Sequence, residues 1–336
     1  MKILIAGLGS IGRRHLRNLR ALNENDIVLL RSHKATLPDD ELASFPVETD
    51  LASALDNHRP DAVIVANPTA MHLDVAIPAA KAGCHILLEK PIAGSLERVD
   101  QLEAAANRSG SRILVGFQFR FHPTLRKAAE LIQAGELGKV LTFHAHWGEY
   151  MPNWHPWEDY RRAYAAREDL GGGVIRTLTH PLDYARWLVG EVAEVMALNA
   201  HVSPLEMDVE DVAEIGLRFA NNAIGGVHVN YVQRPPVHRL EIVGMRGTLR
   251  WDYADGVLHF YREFQPFGEC SVNPPAPIVE QFAPPAGFER NIMFMEQMRH
   301  FLAVARGEAE PVCTLHDGIR AMELAMKARG LNISKK

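Results

Sequence analysis

Lys2-Ile3-Leu4-Ile5-Ala6-Gly7-Leu8-Gly9-Ser10-Ile11-Gly12 decides the fold: a short apolar run passes straight into three glycines spaced Gly-x-Gly-x-x-Gly, and Arg14–Leu22 then carries helical spacing. Strand, tight turn and helix in that order open a dinucleotide-binding sheet. Glycine at 7 permits the turn, glycine at 9 lets the backbone approach a pyrophosphate, and glycine at 12 lets helix and strand pack closely. The helix start supplies N–H groups and partial positive charge for phosphate, so Ser10 and Ile11 join the three glycines as expected cofactor contacts. The competing reading is a glycine-rich turn with no ligand, and position, context and spacing all oppose it.

Outward from that stretch, short apolar runs alternate with longer amphipathic ones as far as Gly116. Strands are expected at Ile3–Ala6, Ile27–Leu30, Ala62–Val65, His85–Leu88 and Ile113–Gly116, with helical spacing at Leu51–Leu55, Met71–Ala82 and Leu96–Ser109. This is the pattern of a doubly wound parallel α/β sheet. The second strand ends in Arg31-Ser32-His33-Lys34, about 20 residues past the third glycine, where an NAD site usually places an acid against the ribose. No acid stands in that tetrapeptide. Arg31, Ser32 and Lys34 suit a 2′-phosphate, which favours NADP while leaving NAD possible; the alternative is a solvated basic turn.

Beyond Phe117 the character changes. A helix is expected at Pro123–Ala134, followed by strands at Val140–Trp147, Ala193–Val202, Asp211–Phe219, Ala223–Tyr231, His238–Gly244, Gly247–Tyr253 and Val257–Phe260. Most follow one another without helices between, which predicts an α+β domain with a mainly antiparallel open sheet. The proline-rich stretch 265–287 reads as an extended surface loop, and helices resume at Glu289–Arg306 and Leu315–Leu331. A length of 336 residues suits two domains, placed at 1–120 and 121–336.

A net charge of -5 gives no overall drive toward nucleic acid. The opening apolar run is too short for a signal core or a membrane span. Cys84, Cys270 and Cys313 are odd in number and far apart, so reduced thiols and a cytoplasmic setting are expected. No metal is expected, since His144 and His146 alternate along a strand without a clear ligand set.

Asn67-Pro68-Thr69-Ala70-Met71-His72 and Glu89-Lys90-Pro91 each follow a strand end. Gly116-Phe117-Gln118-Phe119-Arg120-Phe121-His122-Pro123 comes next, then Gly171-Gly172-Gly173 and His180-Pro181-Leu182-Asp183. With the glycine loop, these segments resemble the glucose-fructose oxidoreductase / inositol dehydrogenase / MocA family along essentially the whole chain. The resemblance implies a Rossmann-type domain, then a domain whose open sheet makes homodimer or homotetramer contacts. It also implies an active site between the two and a last helix, about 315–331, packing back on the first domain. Asn67, Pro68, His72, Glu89 and Lys90 become cofactor contacts, and Pro91 is expected to follow a cis bond.

Hydride transfer at a carbinol carbon needs a group that handles the hydroxyl proton. Lys90 stands just past a strand's C-terminal end and matches the family's lysine; its ammonium suits a developing alkoxide. His180 matches the family's histidine, and its intrinsic pKa suits proton exchange. Asp183, one helical turn on, shares its face. Many family members carry an acid three or four residues before this histidine, whereas this chain has Thr177 and Arg176.

Arg120, Trp154, His155, Tyr160, Arg161, Tyr164 and Thr177, with Lys90, His180 and Asp183, are the expected substrate contacts. Aromatic faces and charged groups in 146–162 suit a sugar, with an ordered loop or oligomer contact as the alternative. The reading is an NAD(P)-dependent dehydrogenase or reductase acting on the CH–OH group of a sugar, polyol, sugar acid or nucleotide-linked sugar. A cofactor-binding sensor without turnover and an internal-redox lyase that regenerates its cofactor are the alternatives.

Overall fold

A computed structural model describes residues 1–32, 39–262, 267–272 and 276–330. The chain begins β1 (Ile3–Ala6), α1 (Ser10–Ala21), β2 (Ile27–Leu30), β3 (Val47–Glu48), α2 (Leu51–His58), β4 (Ala62–Val65), α3 (His72–Lys81), β5 (His85–Leu88), α4 (Val99–Ser109) and β6 (Ile113–Val115). These strands form one parallel sheet in the order β3-β2-β1-β4-β5-β6. β1 lies in the middle, and its four residues are buried because helices cover both faces of such a sheet. α1 turns Gly12, His15, Leu16 and Leu19 inward and leaves Arg17 and Arg20 outside, the amphipathic split expected of its spacing. The two-residue β3 was not expected from the sequence; it is too short to show an alternation.

The chain continues with α5 (Pro123–Gln133), β7 (Val140–Tyr150), α6 (Val174–Thr177), α7 (His180–Val189), β8 (Val192–Ala200), β9 (Val212–Phe219), β10 (Ile224–Asn230), β11 (Val232–Gly244), β12 (Gly247–Asp252), β13 (Leu258–Arg262) and β14 (Ile278–Phe282). The second sheet runs β14-β13-β12-β11-β7-β10-β9-β8 and is antiparallel except where β10 lies parallel to β7. Strict alternation buries Phe143, Ala145 and Trp147 of β7, Ile215 and Leu217 of β9, and Leu249 and Trp251 of β12 on one face. His144, His146, Glu214, His228, Arg239 and Glu241 border a polar concavity on the opposite face.

The stretch 265–287, expected as a loop, contains β14. Its residues pair with β13 from Ile278↔Arg262 to Phe282↔Leu258. Pro277, Pro284 and Pro285 flank it, and an edge strand tolerates such neighbours because only one side must supply ladder bonds.

The chain ends with α8 (Arg290–Ala305) and α9 (Leu315–Ala328). It divides into two compact units, one of 1–118, 162–172 and 290–322, the other of 119–161, 173–289 and Glu323 onward. Among the described residues no helix is long and apolar enough to cross a membrane.

Candidate active site

In the first unit the three glycines of the opening loop answer to three different constraints. Gly7 has φ +94°, and a Cβ there would lie 2.5 Å from the Asn67 backbone nitrogen. A Cβ on Gly12 would sit 1.9 Å from the Gly7 carbonyl oxygen, so helix and turn are in contact as tightly as backbone allows. A Cβ on Gly9 meets nothing within 4 Å. Gly9 alone therefore opens onto free space, the side from which a pyrophosphate approaches. It also caps α1, whose first turn carries no acidic residue and whose cap has no side-chain hydrogen bond, so the positive end of the helix is left for an anion.

At the end of β2 the Gly7 N–H donates to the Leu30 carbonyl at 3.1 Å. Arg31 is buried and its Nη2 donates to Asp39 Oδ1 at 2.9 Å. Arg13 Nη2 comes within 3.5 Å of the same oxygen, and its other nitrogens reach the Leu8 carbonyl and Glu41, each at 3.0 Å. Ser32 is exposed, and Lys34 lies outside the described residues.

Beyond β4, Asn67 Nδ2 donates to the Met71 carbonyl at 3.0 Å, and the Pro68 carbonyl accepts from the Met71 N–H at 2.8 Å. His72 Nε2 stands 2.9 Å from the Asn67 carbonyl, which can only accept, so Nε2 carries the proton. Burial holds the His72 pKa below the ordinary histidine value although the Asn67 carbonyl and the Glu89 charge pull it up, so the ring is neutral. Asn67 Oδ1 is a buried acceptor with no hydrogen-bond partner among the described residues, which suits a ligand donor beside the glycine loop.

Lys90 follows the C-terminal end of β5. The buried Glu89 carboxylate accepts from the Lys90 N–H at 3.3 Å and stands 2.8 Å from His15 Nε2 on the inner face of α1. Gly116 makes room for it: a Cβ at 116 would lie 3.0 Å from that carboxylate. The Lys90–Pro91 bond is cis, as the family resemblance implied.

In the second unit His180 opens α7 and is buried, stacked on Trp147 at 5.4 Å and met edge-on by Phe119 at 4.9 Å. Trp147 and His238 are cross-strand partners in β7 and β11, and their rings stack at 4.2 Å and 5°. The Tyr184 hydroxyl lies 3.2 Å from His238 Nε2, and burial, then the Asp183 charge, push its pKa well above the ordinary value. Arg120 grips Asp183 in a two-bond pair, Nε to Oδ2 at 3.0 Å and Nη2 to Oδ1 at 2.7 Å, with both side chains buried. Asp183 therefore braces the helix that His180 begins.

The glycine triplet serves both units. Gly171 packs on Thr69, a Cβ on Gly172 would strike the Tyr164, Ala165 and Arg167 carbonyls at 2.3–2.8 Å, and one on Gly173 would strike the Glu210 carboxylate at 2.5 Å. Glu210 in turn accepts from the Ile175 N–H at the start of α6, while Arg329 Nη2 pairs with it at 3.0 Å. Arg176 and Thr177, four and three residues before His180, are both buried on α6.

The remaining expected substrate residues are dispersed. Arg161 is bound up with Asp159 at 2.8 Å and Glu206 at 3.3 Å, and the Tyr160 hydroxyl accepts from the Glu206 N–H at 3.1 Å. Tyr164 belongs to the first unit. Trp154 packs edge-on against Tyr231 at 5.3 Å; its Nε1 and His155 Nδ1 are buried without a partner among the described residues. Sequence reasoning did not single out His15, Asp39 or His238, and took Trp147 only as one aromatic of the 146–162 stretch. His15 had a signal, three residues past Gly12 and so on the inward face of α1; the other three depend on pairings across the fold.

A model of the oxidoreductase family GFO/IDH/MocA, NAD-binding Rossmann fold, matches residues 1–117, and its C-terminal domain model matches residues 125–250. The chain is 32% identical over 248 residues to an uncharacterised oxidoreductase of Synechocystis sp., covering 66% of this chain and 65% of that protein, just under two thirds of its length. It is 28% identical over 270 residues to the myo-inositol 2-dehydrogenase of Thermotoga maritima, 76% of each chain. A solved levoglucosan dehydrogenase, in complex with NADH and levoglucosan, shares the fold at a TM-score of 0.81 and 22% identity over 98% of both chains.

Proposed function

The chain belongs to the GFO/IDH/MocA family of oxidoreductases, and from that premise we propose that it moves a hydride between a nicotinamide dinucleotide and a carbinol or ketone carbon of a sugar, polyol, sugar acid or nucleotide-linked sugar. The observation that carries the reading is Gly9, open to approach between two glycines that are closed to it, at the uncapped start of α1. Either dinucleotide meets that loop through its pyrophosphate; what distinguishes them is the group at the end of β2.

When bound, the dinucleotide supplies the hydride acceptor or donor. Lys90 hydrogen-bonds the reacting oxygen and stabilises its developing negative charge, and His180 exchanges the hydroxyl proton. Supporting this, Lys90 stands at the strand ends where ligands gather in parallel sheets, on a turn fixed by Glu89 and His15. His180 is oriented by Trp147 and Phe119 and braced through Asp183 and Arg120. Trp154 and His155, with their unpartnered ring nitrogens, are the best supported substrate contacts of the 150–164 stretch.

With Arg176 and Thr177 supplying no carboxylate, one second reading has transient oxidation acidify a neighbouring carbon, elimination follow and the cofactor be restored. For the outer face of the second sheet, with Met196 and Leu198 exposed on β8, the reading is contact with a second copy of the chain.

The test is calorimetric binding of NAD(H) and NADP(H), then an absorbance screen at the reduced-nicotinamide band against polyols, glycosides, sugar acids and nucleotide sugars. Turnover that vanishes in Lys90→Ala while cofactor binding persists supports the dehydrogenase. Product formation without net cofactor reduction supports the internal-redox reading. Cofactor binding with no product from any class refutes both and leaves a sensor.

A further inference from the structure

We propose that Asp39 sets the choice of dinucleotide, holding Arg31 in an ion pair and offering its carboxylate to the ribose hydroxyls of NAD, so that NADP is disfavoured. The proposal rests on the dinucleotide reading above and reverses the preference suggested by Arg31, Ser32 and Lys34.

The position follows from the local geometry. Gly7 donates to the Leu30 carbonyl, which ties the glycine loop to the end of β2, and the Arg31 N–H donates to the Glu48 carbonyl of β3 at 3.0 Å. Arg31 is therefore anchored as the next residue beyond that strand. The Arg31 side chain is only 8% exposed, and its guanidinium is turned onto Asp39 Oδ1 at 2.9 Å. Asp39 is also approached by Arg13, whose Nε holds the Leu8 carbonyl in the glycine loop. The acid is thus fixed to both walls of the crevice in which the adenosine half of a dinucleotide lies in such folds. It stands 27 residues beyond Gly12 rather than the usual ~20.

Charge decides the direction. A 2′-phosphate is held by guanidinium N–H groups and is repelled by a carboxylate beside it. Here Asp39 takes Arg31 Nη2 and Glu41 is shared by Arg13 and Arg17, so two carboxylates stand among these three arginines and compete with a phosphate for their N–H groups. Asp39 remains 56% exposed, open to a ligand, and a carboxylate accepts hydrogen bonds from ribose hydroxyls while repelling a phosphate.

Dissociation constants of NADH and NADPH, measured by calorimetry on the full chain, test this with Asp39→Asn and with Asp39→Asn combined with Arg31→Ala. The wild type should bind NADH at least about tenfold more tightly than NADPH. Asp39→Asn should shrink that ratio by at least about tenfold, mainly through tighter NADPH as Arg31 is released, and the second substitution should abolish the NADPH gain (about 1.4 kcal/mol per tenfold). Asp39→Ser serves the same comparison if the asparagine variant melts early. A wild type that prefers NADPH, or a ratio unchanged within about twofold in Asp39→Asn, overturns the role of Asp39 while leaving the dinucleotide reading intact. A wild type that binds neither overturns that reading and this proposal together.

Discussion

Alanine at Gly9 and alanine at Gly12 should fail in opposite ways. Gly9 has φ -73° and ψ -167°, a conformation open to any residue, and its Cβ meets nothing within 4 Å. Gly9→Ala should leave the ligand-free protein as stable as wild type or more so by about 0.4–1 kcal/mol, since alanine restricts the unfolded chain. The added methyl occupies the space that a pyrophosphate needs. Losing one charge-assisted hydrogen bond to phosphate is worth about 1.5–3 kcal/mol, which weakens cofactor binding at least about tenfold. Gly12→Ala puts a Cβ 1.9 Å from the Gly7 carbonyl, where the obstacle is backbone and cannot swing aside. Overpacking of that kind destabilises by about 3 kcal/mol or more. Denaturant unfolding with and without saturating NADH separates the two, because bound ligand adds RT ln(1 + [L]/Kd) to stability and a tenfold weaker Kd removes about 1.4 kcal/mol of it. If Gly9→Ala unfolds as early as Gly12→Ala, or gains as much from NADH as wild type, the assignment of the loop is wrong.

Burial lowers the His122 pKa to about 4, against 6.5 for the free side chain, so the unfolded chain takes a proton that the folded chain refuses between those values. His122 thus makes stability fall as pH drops from 6.5 to 4, by about 3 kcal/mol in all. Urea midpoints across that range should fall less steeply in His122→Phe; identical slopes would show that the ring is not kept neutral. Asp183→Ala takes the carboxylate partner from the buried Arg120 guanidinium and should cost about 3–5 kcal/mol, whereas Arg120→Met with Asp183→Leu should recover most of it in denaturant titrations. Equal losses in the single and double variants would mean that packing, not the charge pair, holds α7. His15→Leu strips the Glu89 carboxylate of its Nε2 partner and should lower kcat with little change in cofactor affinity, while His15→Gln, which keeps a donor, should restore it. Steady-state kinetics in which both variants match wild type would remove His15 from the Lys90 turn.

Local patterning carried most of the architecture: the apolar run before Gly7 and the alternation through β7, β9 and β12 are signals written within a few residues. β14 escaped because prolines on both sides look like a loop, while the strand is defined by pairing with β13. The candidate site was legible as residue types and not as pairings. Arg120 and Asp183 were both read as substrate contacts, Asp183 also as a residue that holds the site, and their pairing across 63 residues of sequence was not visible. Trp147 and His238 meet only through the register of β7 with β11. Asp39 escaped because a reader counting ~20 residues from the third glycine looks at Arg31 and finds no acid.

The first unit borrows α8 from late in the chain: Arg14 of α1 lies over the Phe294 ring at 4.5 Å, and Asn18 meets Asn291 at 3.0 Å. During synthesis the opening sheet must therefore wait. Between Gln118 and Arg290 lie 171 residues of chain, and at about 5–20 residues per second their translation takes roughly 9–34 s. Throughout that interval one side of α1 faces the cell without its partner helix. A nascent chain that ends before α8 lacks the Phe294 and Asn291 contacts of α1, so the opening sheet reaches its full packing only after the second sheet has been made.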